Sequence, residues 1–135
     1  MKIYFDMDGT IANFYKGEWL NDLINENPRP YRVADVLVGE EVLLSLIEKG
    51  YELCIVSWLS RGGSVEFNKE VRKVKKEWLK VNYPNVKFGE IHIVKYGTPK
   101  YSVVKDRNGI LVDDEDHNRN EWKGQSIEPK EIYNF

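Results

Sequence analysis

Four short apolar runs, three of them ending abruptly in an acid or a hydroxyl, constrain this chain more than any other feature. Ile3, Tyr4 and Phe5 run into Asp6-Met7-Asp8-Gly9-Thr10. The run that begins at Tyr51 stops at Ser57, Ile91 to Val94 form a third, and Ile110-Leu111-Val112 stop at Asp113-Asp114. Short continuous apolar runs bounded by turn residues mark the buried strands of a parallel sheet. Helical periods separate them. Val42, Leu43, Leu46 and Ile47 share one face, with Gly50 as a stop signal. Phe67, Val71, Val74, Trp78 and Val81 recur at helical spacing, and Pro84 follows. Thr98-Pro99 reads as a cap with a first-turn proline opening a short helix. Strands alternating with helices imply right-handed crossovers that cover both faces of a parallel sheet. The expected fold class is α/β, a Rossmann-like parallel sheet flanked by helices.

At 135 residues the chain accommodates one such domain, 1–135, and no second domain of similar size. One stretch breaks the alternation. From Phe14 to Arg32 the chain carries Tyr15, Trp19, Leu20, Leu23 and Ile24, then Pro28-Arg29-Pro30. This reads as an insertion at about 14–32, one short helix plus a proline turn, between the first strand and the first crossover helix. Twenty basic against 22 acidic residues exclude wholesale binding of nucleic acid or of an anionic membrane. The apolar run 53–60 is too short to span a bilayer, and no secretory segment is expected ahead of Asp6. The single cysteine, Cys54, excludes an internal disulfide framework and reads as core, so a reducing, cytoplasmic location is expected. His92 and His117 lack metal-ligand spacing; His92 is expected half-buried in its strand. The basic run Lys69, Arg72, Lys73, Lys75, Lys76, Lys80 is expected to be a solvated helix face, opposite the Phe67–Trp78 stripe.

In a parallel α/β sheet the C-terminal strand ends share one edge, and ligands bind there. Asp6, Ser57 and Asp113 should therefore face one crevice. Carboxylates crowded at one point need a cation or shifted pKa values. Oxygen donors without a cysteine cluster favour a hard ion, Mg²⁺ rather than Zn²⁺. Gly9 permits a sharp turn that aims backbone N–H groups at an anion. Asp and Gly after a strand also simply make turns, and Asp113 to Asp116 could be no more than an acidic helix start. Their coincidence at two strand ends weakens that reading.

These residues resemble the haloacid dehalogenase-like (HAD) superfamily of phosphohydrolases. Asp6-Met7-Asp8-Gly9-Thr10 matches its first motif, a pattern expected by chance on the order of once in 10⁵ positions. Cys54-Ile55-Val56-Ser57 matches the second, a lysine the third, and Gly109 to Asp114 the fourth. The layout is most similar to compact phage- and bacterial-type members near the 5′(3′)-deoxyribonucleotidases, through Ser57-Trp58-Leu59-Ser60 and Tyr96-Gly97-Thr98-Pro99-Lys100 as well. The resemblance implies that Asp6 is the nucleophile, Asp8 the acid and base, and Ser57 a hydrogen-bond donor to the phosphoryl group. It implies Mg²⁺ held by Asp6, the Asp8 carbonyl and Asp113, with Asp114 as ligand or orienter. Among Lys95, Lys100 and Lys105, Lys100 is the first choice for the motif-three lysine and Lys105 the second. A carboxylate nucleophile needs the phosphate charge cancelled, which a metal and a lysine supply.

The expected activity is Mg²⁺-dependent hydrolysis of a small phosphomonoester through an aspartyl phosphate, with nucleoside monophosphates as the favoured substrates. Insertions after motif one act as caps in this superfamily, and that of the similar deoxyribonucleotidases is larger than 14–32. Gly9 and Thr10 are expected near the phosphate, Phe14 and Tyr15 against a base, and Trp58 and Arg61 at the rim. Trp19 could stack there too, but Trp19, Leu20 and Leu23 also read as the insertion's own small core, and Phe14 and Tyr15 as simply buried. A small cap admits phosphorylated polynucleotide ends or phosphoproteins, and leaves room for a second copy to cover the site. A receiver-like phosphorylation switch uses similar residues, but with its phosphoacceptor mid-chain. An inactive binding protein is the remaining alternative.

Overall fold

The structure is a computed structural model describing residues 1–135. In chain order the elements are β1 (Lys2–Phe5), β2 (Ala12–Asn13), α1 (Trp19–Ile24), α2 (Arg29–Arg32), β3 (Asp35–Val36), α3 (Glu40–Glu48) and β4 (Glu52–Trp58). They continue with α4 (Val65–Asn82), β5 (Glu90–Val94), a 3₁₀ turn (Lys100–Ser102), β6 (Ile110–Val112), α5 (Asp116–Glu121), β7 (Ser126–Ile127) and a second 3₁₀ segment (Pro129–Asn134). Five strands form one parallel sheet in the order β5-β4-β1-β6-β7. The four expected strands are all present, and β7 extends the sheet by two residues.

Side-chain alternation explains why the strands read as continuous apolar runs: the sheet is buried on both faces. Ile3, Phe5, Leu53, Ile55, Ile110 and Val112 point to one face, where Leu43 and Leu46 of α3 and Trp78 and Leu79 of α4 cover them. Tyr4, Cys54, Val56 and Leu111 point to the other, where Val104 and Trp122 complete a smaller cluster. The helical cover is therefore unequal. The crossover from β5 to β6, residues 95–109, contains no helix longer than a three-residue 3₁₀ turn, so loop side chains close the second face. Pro99 precedes that turn at its cap position rather than opening it as a first-turn residue. At the N-terminal edge, buried Glu90 accepts from Lys2, the Tyr4 hydroxyl and the Lys105 amide and pairs with half-buried His92, tying β1, β5 and the β5–β6 crossover together.

Register carries the chemistry to the opposite edge. Phe5 lies between Ile55 and Val112, so Asp6 and Asp113 leave adjacent strands at the same level. Ser57 lies one position further along β4.

The stretch after β1 departs from the expectation in detail. It holds two short helices, not one, and the proline turn is the first turn of α2, with Pro28 at its cap and Pro30 inside. Flanking strands β2 and β3 pair antiparallel and close the excursion at its base. Phe14 and Tyr31 pack on Phe67, Val71 and Val74 of α4. Glu26 accepts from the Ser64 amide and hydroxyl (both 2.8 Å), fastening the α1–α2 turn to the start of α4. Ser64 also caps α4 by accepting from the Phe67 amide. The stripe of α4 ends earlier than its spacing indicates, because Val81 is 76% exposed.

Ile55 sits in the middle of β4, an interior strand beside the central β1, with no exposed surface. Ile55→Ala is expected to lower unfolding free energy by about 2–5 kcal/mol, measured by urea denaturation. A loss under about 1 kcal/mol would contradict the core position given to this side chain.

Candidate active site

Asp6 and Asp113 stand at the ends of neighbouring strands, and the Lys100 ammonium lies between them. Lys100 Nζ donates to Asp6 Oδ1 (2.9 Å) and to Asp113 Oδ2 (2.6 Å). All three residues are buried, with side-chain exposures of 3% for Lys100, 9% for Asp6 and 0% for Asp113. The 3₁₀ turn places Lys100 there, and the Trp58 ring lies 5.3 Å from its ammonium. Lys95 is exposed, and Lys105 is exposed with its amide bonded to Glu90 at the far edge, so neither reaches the acids.

A second lysine enters from the helix side. The expectation of a solvated basic face holds for Lys69, Lys73, Lys76 and Lys80 but fails for Lys75, which is 1% exposed. Its ammonium donates to Asp8 Oδ2 (2.7 Å), Ser57 Oγ (2.9 Å) and the Trp58 carbonyl (2.7 Å). Lys75 stands one turn from both Val71 and Leu79, which are buried. That row of the helix was the available signal. Arg72 is half-buried and donates to the Ile93 carbonyl.

The turn after β1 is drawn tight by the Met7 carbonyl, which accepts from the amides of Thr10, Ile11 and Ala12. Gly9 has φ +83°, and a Cβ there would lie 2.3 Å from Asp114 Oδ2. The positive φ is what favours glycine here, since the Asp114 carboxylate is the mobile end of a side chain. Its amide is not aimed at an anion, however; it donates to the Ala12 carbonyl. The amides of Met7 and Asp8 are the ones with no acceptor in the protein. Thr10 is 1% exposed and faces the acids rather than the cleft, its one hydroxyl proton within reach of either Asp6 Oδ2 (3.4 Å) or Asp114 Oδ1 (3.3 Å). Asn118 was not singled out by its sequence context. It is buried on α5 and donates to Asp113 Oδ2 (3.2 Å).

A cleft of about 530 Å³ opens over Asp6, Asp8 and Lys100. Tyr15, Trp19 and Tyr31 contribute to it from the excursion after β1, and Trp58, Arg61 and Tyr96 from the sheet edge. Phe14 lines it only at an edge, being 6% exposed and stacked on Tyr31. Tyr15 is 48% exposed and presents its ring. Trp19 meets Phe14 and Tyr15 edge-on. Arg61 lies over the Tyr96 ring at the rim. His117 is exposed near Glu121 and lies outside the cleft.

Crowding sets the electrostatics. Burial, then the charge of Asp6, pushes the Asp113 carboxyl up to about 6, against the pull of Lys100. Partial desolvation and the charges of Asp6 and Asp113 push Asp114, at the rim, up to about 7. Desolvation raises Asp8 as well, with Lys75 opposing it. Lys100 is pulled down by burial, but Asp6 and Asp113 outweigh this and hold its pKa above the usual lysine range. Oxygens of Asp6, Asp113 and Asp114 lie within 4.8 Å of one another. This all-oxygen set, three acids against one ammonium, has the chemistry to hold a hard divalent cation. The Asp8 side chain is turned to Lys75, so Asp8 could contribute only its backbone carbonyl, to which no amide donates.

The chain matches no family model, and no curated protein matches it. No helix is long and apolar enough to cross a membrane.

The raised acids fix a sign for pH dependence. Between the unfolded value near 4 and the folded values of about 6 and 7, the folded chain binds more protons than the unfolded one. Its stability therefore falls as pH rises through that window. Without divalent cation, Tm is expected to drop from about pH 5 to about pH 7.5, with a shallower slope in Asp114→Asn. A flat or rising Tm would contradict this electrostatic picture.

Proposed function

We propose that this chain is a Mg²⁺-dependent phosphomonoester hydrolase of the HAD type, working through a phosphoryl group carried on Asp6. One observation carries the reading: a nucleophile candidate and a second carboxylate share a buried ammonium at a parallel-sheet edge, with Asp8 two residues on and facing the same cleft. The carboxylates of Asp6, Asp113 and Asp114, with the Asp8 carbonyl, would hold Mg²⁺. That ion would supply charge neutralisation to the bound phosphate.

In this reading an Asp6 oxygen attacks phosphorus and the ester oxygen departs with a proton from Asp8. Asp8 then takes a proton from water, which attacks the phosphoryl-Asp6 and releases inorganic phosphate. One acid/base group thus serves both half-reactions. The free Met7 and Asp8 amides would hold phosphoryl oxygens, and Lys100 would offset their charge; Ser57, expected at the phosphate, is fully buried behind the cleft with its oxygen on Lys75.

The excursion spanning 14–32 would act as a small cap, fastened to α4 rather than floating. A cleft near 530 Å³ falls within the range of small-ligand sites, about 300–1,000 Å³. Its aromatic lining suits a flat leaving group, which favours nucleoside monophosphates. Arg61 on Tyr96 favours a second reading, phosphorylated polynucleotide ends, because it offers a cation for a further phosphate at the rim.

Asp6→Asn is expected to abolish turnover, by about 10³-fold or more, with the circular dichroism spectrum and oligomeric state unchanged. The check is a phosphomonoester panel assayed with Mg²⁺ and with EDTA, including deoxynucleoside monophosphates and 5′- and 3′-phosphorylated oligonucleotides. Undiminished activity in Asp6→Asn, with deamidation excluded, would remove Asp6 as nucleophile. A wild-type chain inert towards the whole panel would remove the hydrolase reading.

A further inference from the structure

We propose that Lys75 is a positioning residue of the reaction. Its buried ammonium fixes the Asp8 carboxylate at the cleft, where that carboxylate meets the departing ester oxygen. The proposal rests on the hydrolase reading above.

A lysine in the middle of a helix belongs in water, and burying it costs heavily unless every proton finds an acceptor. An ammonium has three protons. Here the three acceptors are Asp8 Oδ2, Ser57 Oγ and the Trp58 carbonyl, at 2.7, 2.9 and 2.7 Å. The Tyr31 ring, 5.0 Å away, covers another side of the charge. A lysine that only held α4 to the sheet could place its protons on groups away from the cleft. This one takes the Asp8 carboxylate, which lines the cleft, plus the Ser57 hydroxyl oxygen and the Trp58 carbonyl of β4.

Two consequences follow from the bonding. With Oδ2 held, the Asp8 carboxylate cannot swing about its side-chain torsions, and its exposed edge stays on the cleft. Ser57 Oγ and the Trp58 carbonyl, both on β4, accept the other two protons, and Ser57 is fully buried behind the cleft, so the ammonium itself is anchored to the sheet edge. The two buried lysines thus divide the site. Lys100 holds Asp6 and Asp113 on the nucleophile side, and Lys75 holds Asp8 on the leaving-group side. Neither donates to the other's carboxylates.

A leaving-group series separates positioning from mere support. An alkyl phosphate needs its departing oxygen protonated, whereas 2,4-dinitrophenyl phosphate does not. Lys75→Met is expected to lose about 10²-fold in kcat on the alkyl ester and at least tenfold less than that on the dinitrophenyl ester. Lys75→Arg, which keeps the charge but not the three-acceptor geometry, is expected to show the same asymmetry. Should Lys75→Met fail to fold because Asp8 is left buried without its partner, Asp8→Asn/Lys75→Met removes that charge. Compared with Asp8→Asn alone, it should then show no further leaving-group-dependent loss. Equal losses on both esters in the folded variants would overturn the assignment while leaving the hydrolase reading intact. A wild-type chain inactive on both esters would overturn both.

Discussion

The ammonium of Lys100 between Asp6 and Asp113 is the interaction on which the rest of this site depends. Two carboxylates at the ends of adjacent parallel strands, both buried, repel each other and lose hydration. Lys100 supplies a charge-assisted hydrogen bond to each (2.9 and 2.6 Å), and its own burial is tolerable only because both acids are there. The arrangement still carries excess negative charge once Asp114 is counted. The raised Asp113 and Asp114 carboxyls express that excess, and a divalent cation would relieve it.

The fold is organised to deliver these groups to one edge. Strand register brings Asp6 and Asp113 level, and the short crossover from β5 to β6 swings Lys100 over them. From the other side α4 carries Lys75 under Asp8 and Ser57. The same helix supports the excursion after β1, through Phe67, Val71 and Val74 below and the Glu26–Ser64 fastening at its start. A single helix therefore links the Asp8 side of the site to the cleft wall formed by the excursion. Asn118 and Thr10 complete the arrangement by holding the carboxylates on which the ammonium acts.

Much of this was legible in the sequence because it was written in periodicity and turn chemistry. The four principal strands and helices α3 and α4 follow from apolar spacing, and Asp6, Ser57 and Asp113 fall at strand ends as a parallel sheet requires. What escaped depends on three-dimensional packing. Lys75 reads as one more member of a basic face, because a charged residue between Val71 and Leu79 is atypical and nothing local reveals its partners 18 and 67 residues away. Asn118 sits in a short polar helix with no periodic signal. The Gly9 amide and the Thr10 hydroxyl are spent within the turn and the acid cluster, which spacing alone cannot show. The second helix of the excursion was hidden because prolines at a first turn resemble prolines in a loop.

The most direct test of the central claim is to trap the phosphoryl group on the chain. Protein quenched in acid during turnover of a phosphomonoester and reduced with borohydride should carry homoserine at position 6, detected by peptide mass spectrometry, because an acyl phosphate is reduced where a free carboxylate is not. Active turnover with position 6 unreduced, or with the label on another side chain, would contradict the account.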